Sequence, residues 1–524
     1  MSQTMISPST MNRSFTVPVF MSRNIMDPRN LAPNLYQGTT PPPAETVASN
    51  KYKAQTKLYP FQRESVERAK KLNGGRCFLA HEQGLGKTLM AITFTIETDS
   101  FPAVVVCPGT LKSVWAREFQ RHYGKEVTVL NGRRPPQAPL PKDGDRVYVL
   151  NYDIVCAWKE KLLELEPKIL ILDECQKVKR HTTKWTKVCA ELADASERFL
   201  ALSGTPMTNN PADLYPTLSM IAKGHIISRW NYMCRYTRWY TDRYGNERVT
   251  GTKNEEELHR ALRDYYMIRY KIDDVIKDLP PYVRQTTFIE MTGEQRAEYL
   301  KMKADFLRWL AEHYPDRRIP RCDIALVLSR LSAMRMRVAE WKVPFIKETL
   351  DNFLDSNEGK IIVFALHHKL LDPLTDCFKN SGKPNKPLLV RLDGKTPQKK
   401  RAEAVDAFQN GPARVFLGQM NTAGLGLTLT AARHSLFAEL DYLPTSHLQA
   451  ESRTRRIGSE GSYIQYNYLV MKDTLDEAVA QRLFARQKAI NQVIDGSSEE
   501  DDAKMDDFNV LGGVLADDFG FSLV

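Results

Sequence analysis

The chain has 524 residues, 42% of them hydrophobic, and a formal net charge of +11. Such a length predicts roughly two to four domains, and the apolar content is enough for substantial cores. Residues 495–524 hold nine acidic residues and one lysine, so the rest of the chain carries +19. That charge suits either a nucleic acid partner or an ordinary basic soluble protein. No apolar run approaches the ~18 residues of a membrane span, which excludes a helical membrane protein.

The beginning of the chain and the cysteines carry little chemical information. Residues 1–50 are rich in Ser, Thr, Pro and Asn and lack periodicity, which predicts a disordered leader. Pro8 and Pro18 interrupt any amphipathic helix, so a transit peptide is the weaker interpretation. The eight cysteines are scattered, without a CxxC pair or a Cys/His cluster. Free, buried thiols in a reducing compartment are therefore favoured over disulfides or a zinc site.

From residue 51 on, short continuous apolar runs predict strands that are covered on both faces, as in a parallel sheet. The runs of the first set are Cys77–Ala80, Ala103–Cys107, Val147–Leu150, Ile169–Leu172 and Phe199–Leu202. Those of the second set are Ile361–Phe364, Leu388–Leu392, Val415–Leu417 and Leu436–Leu440. Amphipathic stretches such as Leu111–Arg121 separate the runs. The sequence thus predicts an α/β fold in which the same parallel-sheet architecture occurs twice.

The region between the two sets has a different pattern. Its spacing is helical and strongly charged, which predicts a helical insertion instead of a third sheet. The predicted organisation is a leader (1–50), a first α/β lobe (51–222), a helical protrusion and linker (223–340), a second α/β lobe (341–494) and an acidic flexible tail (495–524).

A glycine-rich loop follows the first predicted strand. The segment Gly84-Leu85-Gly86-Lys87-Thr88 leads into a helical stretch, Leu89–Ile96, which is the strand–loop–helix context of a phosphate-binding loop. Backbone N–H groups would approach phosphate oxygens there. Lys87 would neutralise the β- and γ-phosphates, and Thr88 would hold Mg²⁺. The usual pattern begins with Gly, whereas His81 stands at that position, so a chance Gly-rich turn is the alternative.

Two further sets of charged residues complete a candidate site. Asp173 and Glu174 end the run ILIL, at the edge where parallel sheets bind ligands. Asp173 would hold Mg²⁺ through water and Glu174 would orient or deprotonate an attacking water; a solvated acidic turn is the alternative. Arg453 and Arg456 are three apart, so on a helix they share one face and would stabilise a transferring phosphoryl group; a basic helix face is the alternative. A site that uses both ends of the chain would lie in a cleft between two domains.

These motifs resemble those of the SWI/SNF-type ATPases of helicase superfamily 2, in the family's order, over about residues 58–480. HEQGLGKT (81–88) is similar to that family's DEMGLGKT, which also lacks the first Gly, and DECQKVKR (173–180) to DEAHxxKN, with Gln176 in place of His. The remaining motifs are LYPFQ (58–62), VVVCPGTLKSVWAREF (104–119), VLNYDIV (149–155), LSGTPMTN (202–209), KIIVFALHH (360–368), RLDGKTPQKKR (391–401), NTAGLGLTLTAA (421–432) and QAESRTRRIG (449–458). The resemblance implies two RecA-like lobes in tandem, ATP with Mg²⁺ as cofactors, and DNA as partner.

The resemblance also implies roles for single residues. Catalysis would depend on Lys87, Asp173, Glu174, Arg453 and Arg456, and Mg²⁺ would be held by Thr88 and Asp173. The nucleotide would contact Gln62, Gly84, Leu85, Gly86, Lys87, Thr88 and Gly426. DNA would contact Lys112, Asn151, Thr205, His367 and Thr422, through the backbone and therefore independently of sequence but sensitively to salt. The segment Trp230–Tyr244 interleaves aromatic residues with arginines, and it would either stack bases or pack a protrusion onto the first lobe.

Finer detail points to one branch of the family. GTKNEEELHRAL (251–262), MIRYKIDDVIKDLPP (267–281) and FALHHKLLD (364–372) resemble the annealing-helicase, or HARP-type, branch, which is implied to rewind or remodel branched DNA. Because residues 1–50 alone precede the lobes, no accessory HARP domain is expected. The expected function is a DNA-dependent ATPase that translocates on duplex or branched DNA in replication, recombination or repair. The alternatives are a recycling factor for transcription complexes and an ATP-switched interaction protein with little turnover.

Partners and location are expectations of the same kind. We expect a monomer without membrane association. The acidic tail would be a solvated terminus, or it would dock on a replication or repair protein or compete for the DNA groove. The lack of chromatin-reader segments favours a bacterial or viral protein of the cytoplasm; a eukaryotic one would be nuclear.

Overall fold

The computed structural model describes residues 52–241, 247–276, 279–356, 359–378, 382–383, 386–420, 427–456, 459, 463–496 and 514–523. The predicted leader therefore lies outside the described residues. All described residues belong to one compact unit, Pro43–Val524. Among the described helices, none is both long and apolar enough to cross a membrane. All eight cysteines are free thiols, and Cys77, Cys107, Cys175 and Cys189 are buried.

The first lobe is a seven-stranded parallel sheet in the order β3-β4-β2-β5-β6-β1-β9. Three of its predicted strands are buried at every position, as their continuous apolar runs predict, because helices cover both faces. The strands are Arg76–Leu79 (β1), Ala103–Cys107 (β2), Thr128–Val129 (β3), Val147–Asn151 (β4), Ile169–Asp173 (β5), Arg198–Leu202 (β6) and Met267–Ile268 (β9).

The second lobe is a six-stranded parallel sheet in the order β10-β18-β17-β12-β16-β15. Its strands are Tyr282–Ile289 (β10), Lys360–Ala365 (β12), Leu389–Leu392 (β15), Val415–Gln419 (β16), Ala432–Phe437 (β17) and Ile464–Met471 (β18). The strand predicted at Leu436–Leu440 thus begins four residues earlier, because the polar residues of β17 weaken its pattern at the start. The two parallel sheets confirm the predicted fold class.

The region between the lobes is mainly helical, and it also supplies strands to both sheets. β9 completes the first sheet, and β10 begins the second. Glu247–Thr252 (β8) pairs antiparallel with Thr237–Thr241 (β7) in a hairpin of its own. β9 is too short and β10 too exposed for apolar runs of the kind that predicted the other strands. Two further short pairs are Arg318–Ile319 (β11) with Ser522–Leu523 (β19), and Gly382–Lys383 (β13) with Lys386–Pro387 (β14).

The helices alternate with the strands in each lobe and form most of the middle region. Their bounds are Pro60–Lys71 (α1), Lys87–Glu97 (α2), Lys112–Tyr123 (α3), Tyr152–Val155 (α4), Lys159–Glu164 (α5), Lys184–Ala195 (α6), Tyr215–Ile221 (α7), Arg229–Tyr236 (α8), Glu255–Ala261 (α9), Ile272–Val275 (α10), Gly293–His313 (α11), Ile324–Ser356 (α12), His368–Phe378 (α13), Gln398–Gln409 (α14), Pro444–Glu451 (α15) and Leu475–Asp495 (α16). The predicted boundary at 340/341 falls inside α12, which continues without a break.

The end of the chain differs from the predicted flexible tail. In the described part, 514–523, Val514, Leu515, Phe519 and Phe521 are buried in the core of the second lobe. The Phe519 ring packs edge-on against Phe306, with ring centroids 5.0 Å apart. The prediction rested on the acidic composition of the tail, whereas its apolar residues pack in the core and the segment contacts α11 through Phe519 and α16 through Asp518.

Candidate functional site

The phosphate loop connects β1 to α2, as predicted. Gly84 and Gly86 have φ values of +86° and +78°, a conformation that favours glycine. A Cβ at Gly86 would lie 2.5 Å from Gln62 Nε2, so a larger residue would displace the end of the Gln62 side chain. The Gln62 amide donates to the Leu85 carbonyl at 3.0 Å. Gln62 thus lies beside the loop, and its contact with the nucleotide stays a prediction.

A segment outside the predicted site holds the other side of the loop. Directly after β9, Arg269 Nη1 donates to the Ala80 carbonyl at 2.7 Å, and the backbone N–H of Ile272 donates to Glu82 at 2.8 Å. The Tyr270 backbone N–H donates to His81 Nδ1 at 3.0 Å, and burial lowers the pKa of His81 to about 3. His81 is therefore a neutral hydrogen-bond acceptor that fixes the loop.

Lys87 is the first residue of α2 and lies at the centre of the site. Its Nζ donates to the carbonyls of His81 and Glu82 at 2.8 and 3.0 Å. Burial lowers the pKa of Lys87 to about 8, against the opposing effect of Glu174 and Asp173. The ammonium thus stands between the loop and the acidic pair. Thr88 follows it in the first turn of the same helix.

The acidic pair stands where β5 ends, as predicted. Asp173 Oδ2 accepts from the Trp115 indole at 2.8 Å, and the Asp173 carbonyl accepts from the Tyr152 hydroxyl at 2.9 Å. Burial, followed by the neighbouring Glu174, raises the pKa of Asp173. Glu174 has a φ of +51°, a conformation that costs energy for any residue other than glycine. Such strain at one of the two predicted catalytic carboxylates is typical of functional sites.

Gln176 links the acidic pair to the next motif. Its Nε2 donates to Glu174 at 2.6 Å, and its Oε1 accepts from Ser203 Oγ at 2.7 Å. Ser203 Oγ in turn accepts from the backbone N–H of Thr205 at 3.0 Å. The glutamine in place of the family's histidine therefore still forms a hydrogen-bonded bridge between the two motifs.

The arginines of the second lobe lie against the phosphate loop. A Cβ at Gly84 would lie 3.2 Å from Arg456 Cγ, and Ser452 Oγ donates to Gln83 Oε1. Burial, followed by the neighbouring Arg456, lowers the pKa of Arg453, whereas Glu174 raises it. The two guanidinium groups and the carboxylate are thus within electrostatic reach of one another.

The prediction that both arginines occupy one helix is wrong. Helix α15 ends at Glu451, and the arginines lie in the turns that follow. Thr454 is responsible in part, because its hydroxyl and its N–H both donate to the Glu451 carbonyl, at 2.9 and 3.1 Å. The turns still bring both arginines to the same site.

A groove of about 1480 Å³ runs between the lobes. Its first wall comes from the segment after β2 with Gly109, from α3 with Arg117 and from the segment after β5 with Lys177. Its second wall comes mainly from α14, including Arg401. Two lining residues bond directly to the site above. Tyr152 donates to the Asp173 carbonyl, and Thr428 accepts from Arg456 Nη1 at 3.1 Å.

The predicted DNA-contacting residues are distributed over more than one surface. Asn151 bonds to the groove-lining Asp153 at 2.9 Å, and Lys112 begins α3, where it donates to the Leu130 carbonyl at 3.1 Å. Thr205 lines a second cavity, of about 290 Å³, between the lobes. His367 follows β12 and pairs with the buried Glu439 at 2.6 Å. Thr422 and Gly426 lie outside the described residues.

The sequence did not identify several residues that shape this site. Arg269, His81 and Tyr270 fix the phosphate loop, and Gln83 and Ser452 join the lobes beside it. Arg269 and Tyr270 stand in the segment MIRYKIDDVIKDLPP, which the resemblance singled out without a role. Gln83 and Ser452 are neutral residues inside charged motifs, so no sequence signal marked them.

The comparisons with known proteins agree with this geometry. The SNF2-related domain matches residues 55–340, and the helicase conserved C-terminal domain matches residues 341–458. The chain belongs to the SNF2-related family. Membership implies the use of a nucleotide.

Curated relatives lie in the branch that the sequence indicated. The mouse DNA annealing helicase and endonuclease ZRANB3 is 30% identical over 87% of this chain and 42% of its own length. A Caenorhabditis elegans homologue of the SWI/SNF-related matrix-associated actin-dependent regulator of chromatin subfamily A-like protein 1 is 27% identical, over 83% of this chain and 62% of its own. The chain thus spans less than two thirds of these relatives.

Among solved structures, the SWI2/SNF2 ATPase core of Sulfolobus solfataricus in complex with dsDNA matches with a TM-score of 0.38 and 21% identity. That match covers 86% of this chain and 96% of the other. The curated relatives named above are animal proteins, and they give no support to the expected bacterial or viral origin.

Proposed function

We propose that this chain is a DNA-dependent ATPase that couples ATP hydrolysis to movement along duplex or branched DNA. The observation that supports it most directly is the position of Arg456. Its side chain lies against Gly84 of the phosphate loop and also donates to Thr428 of the groove wall. If the loss of a phosphate moves Arg456, that movement reaches the second wall of the groove through a single hydrogen bond.

The residues present fit ATP with Mg²⁺. The loop 84–88 offers backbone N–H groups at the start of α2, and a left-handed Gly86 leaves room for Gln62 alongside. Lys87, Arg453 and Arg456 are cations withdrawn from water, which favours a polyanionic ligand between them. Asp173 and Thr88 would hold Mg²⁺, which would neutralise phosphate charge when bound.

In hydrolysis the residues of this chain would divide the work. Glu174, aimed by the Gln176 amide, would orient the attacking water and accept its proton. Lys87 from the first lobe and the two arginines from the second would stabilise the charge that develops on the phosphoryl oxygens. Because these groups come from different lobes, the site is complete when the lobes are closed.

The groove would bind DNA through its sugar–phosphate backbone. Arg117, Arg121, Lys177 and Arg401 line it and would contact phosphates without reading sequence. Tyr152 connects the first wall to Asp173, as Thr428 connects the second to Arg456. Repeated closing and opening of the lobes would thus shift one wall along the backbone relative to the other.

The relatives suggest a substrate and a setting. ZRANB3 is named a DNA annealing helicase and endonuclease; for this chain we propose annealing or fork remodelling in replication, recombination or repair, in a monomer. Localisation would follow that role: the nucleus in a eukaryote, the cytoplasm otherwise. A partner that binds the acidic segment before residue 514 remains part of this proposal.

The test measures ATP hydrolysis by the purified chain with each of four nucleic acids: single-stranded DNA, duplex DNA, forked DNA and RNA. We expect DNA to stimulate hydrolysis, with Lys87→Ala and Glu174→Gln each losing at least about 100-fold in turnover. Glu174→Gln keeps the size of the side chain and should still bind ATP. Phe288→Ala, an exposed position on β10, is the matched control.

Other outcomes would point elsewhere. Turnover that no nucleic acid stimulates would contradict the translocase proposal. If the effect on DNA persisted in Glu174→Gln with ATP bound, an ATP-switched interaction protein would be the better description.

A further inference from the structure

The aromatic segment Trp230–Tyr240 is divided between the core and the surface. Tyr232 and Tyr236 are buried in the core of the first lobe, and the Tyr232 hydroxyl donates to the Pro211 carbonyl at 3.0 Å. In contrast, Trp230 is 63% exposed and Tyr240 is 51% exposed. The packing interpretation of the sequence therefore applies to the two buried tyrosines, whereas Trp230 and Tyr240 face solvent.

Two of these aromatic residues, Trp230 and Trp239, form one surface where α8 meets the hairpin β7–β8. Their rings meet edge to face, with centroids 4.9 Å apart. Tyr240 is the next residue on β7, so its side chain lies on the opposite face of that strand from Trp239. We call Trp230 and Trp239 the aromatic platform. Indoles held by a helix and a hairpin lose little conformational entropy when a flat ring stacks on them.

A basic track connects the platform with the groove. The segment 177–187 (KVKRHTTKWTK) contains no acidic residue, and Lys177, Arg180, Lys184 and Lys187 are exposed in it. Lys177 and the exposed Trp185 of this segment line the groove. Between them in the sequence, His181 interacts electrostatically with Glu247, where β8 begins, and with Arg229, the residue before Trp230, and these two pair with each other.

This arrangement identifies the chemistry of the occupant. A run of cations that begins in the groove suits the phosphates of a strand that leaves it. The aromatic rings at the end of the run suit bases, but only bases that are unpaired, because stacked duplex bases do not expose their faces. A protein partner is less suited, because the exposed charged residues of the segment 177–187 are all cationic.

We propose that the aromatic platform stacks unpaired bases of branched DNA where a strand leaves the groove, and so favours forks over plain duplex. This inference rests on the proposed function, because it presupposes DNA in the groove. Each stacked base would raise the affinity for the fork about tenfold and leave that for duplex unchanged.

The experiment compares the full chain with Trp230→Ala in binding to two labelled DNAs of equal length, a duplex and a fork with single-stranded arms. The ratio of duplex Kd to fork Kd should fall about tenfold in Trp230→Ala and in Trp239→Ala. Trp230→Phe, which keeps a ring, should retain most of the preference. A 2-aminopurine at the first unpaired positions should be quenched by the parent chain and less by Trp230→Ala.

The controls separate this inference from the proposed function and from misfolding. Phe288→Ala, 55% exposed on β10, should keep the parental ratio, and duplex-stimulated ATPase should be equal in all variants. If Trp230→Ala keeps the parental ratio, or if it loses affinity for fork and duplex equally, the proposed role of the aromatic platform is wrong. A parent chain whose ATPase no DNA stimulates would instead refute the proposed function.

Discussion

At the scale of single residues, Glu174 shows how neighbouring residues fix the orientation of a proposed catalytic side chain. Its backbone is left-handed, which turns the chain sharply where β5 ends. The backbone N–H of Glu174 donates to Asp173 Oδ1 at 3.0 Å, while Gln176 holds its carboxylate at 2.6 Å. Because Gln176 also accepts from Ser203, the orientation of Glu174 depends on the motif that follows β6.

Replacing Gln176 by Ala should separate ATP binding from DNA-stimulated turnover. The variant loses a hydrogen bond to a carboxylate, which contributes about 1.5–3 kcal/mol, so DNA-stimulated kcat should fall about tenfold. The affinity for ATP should stay within about twofold, because Gln176 does not contact the phosphate loop. Steady-state kinetics with and without duplex DNA measures both quantities.

Ser203→Ala and the double variant provide the control. If the bridge carries the effect, the two changes should be non-additive in a double-mutant cycle. A DNA-stimulated kcat that equals the parent's in Gln176→Ala would exclude this role.

At the scale of elements, α16 is the helix that joins the two lobes at its two ends. Leu475 and Val479 near its start pack in the core of the second lobe, whereas Val493 and Ile494 pack in the core of the first. Asp495 at its end pairs with Arg269, Nε to Oδ1 at 2.5 Å, and Arg269 also holds the Ala80 carbonyl beside the phosphate loop. The helix therefore connects the second lobe to the residues that fix the loop.

Asp495→Asn should destabilise the joint between the lobes. The side chains of Arg269 and Asp495 are only 12% and 8% exposed, so the variant leaves a buried cation without its partner, at a cost of about 3 kcal/mol. We expect a lower midpoint of thermal unfolding and faster hydrogen exchange in 475–495.

The pair Arg296–Asp473 is the matched control, since both side chains are 49% exposed and their atoms are 2.7 Å apart. Asp473→Asn should cost less than about 1 kcal/mol. If both variants unfold at the same midpoint, the joint at Asp495 contributes no more than a surface pair.

At the scale of the whole molecule, positive charge is arranged around the groove and its exit. Arg117, Arg121 and Lys177 line the groove, and Arg180, Lys184 and Lys187 continue beyond it. Phosphate contacts release counterions from DNA, so the number of such contacts determines how steeply affinity falls with salt. The net charge of +11 conceals this arrangement, because the acidic residues of 495–524 reduce it.

Lys184→Ala should reduce the slope of log Kd against log salt concentration by about 0.9 for duplex and fork alike. The reason is the loss of one phosphate contact that reads neither sequence nor base pairing. Fluorescence anisotropy over a series of salt concentrations measures the slope. Lys142→Ala is the control, because Lys142 is 51% exposed but precedes β4, away from the groove. Equal slopes in Lys184→Ala and the parent chain would remove Lys184 from the DNA-binding surface.

The sequence by itself determined the α/β fold with two parallel sheets, and it located the phosphate loop and the carboxylates at the end of β5. These features are local: a buried strand needs a continuous apolar run, and a phosphate loop needs its glycines at fixed spacing. The middle region was less predictable, because β9 has two residues and β10 an exposed face, so the contribution of each to a sheet depends on partners distant in the sequence.

Only the tertiary structure decided how the lobes meet. Gln83 with Ser452, and Arg269 with Asp495, join positions hundreds of residues apart, and no periodicity or motif records such a contact. The same holds for Phe519, which acidic neighbours concealed, and for the division of Trp230–Tyr240 into buried and exposed rings. Burial is a property of the folded whole, since a side chain is covered by whatever the rest of the chain places against it.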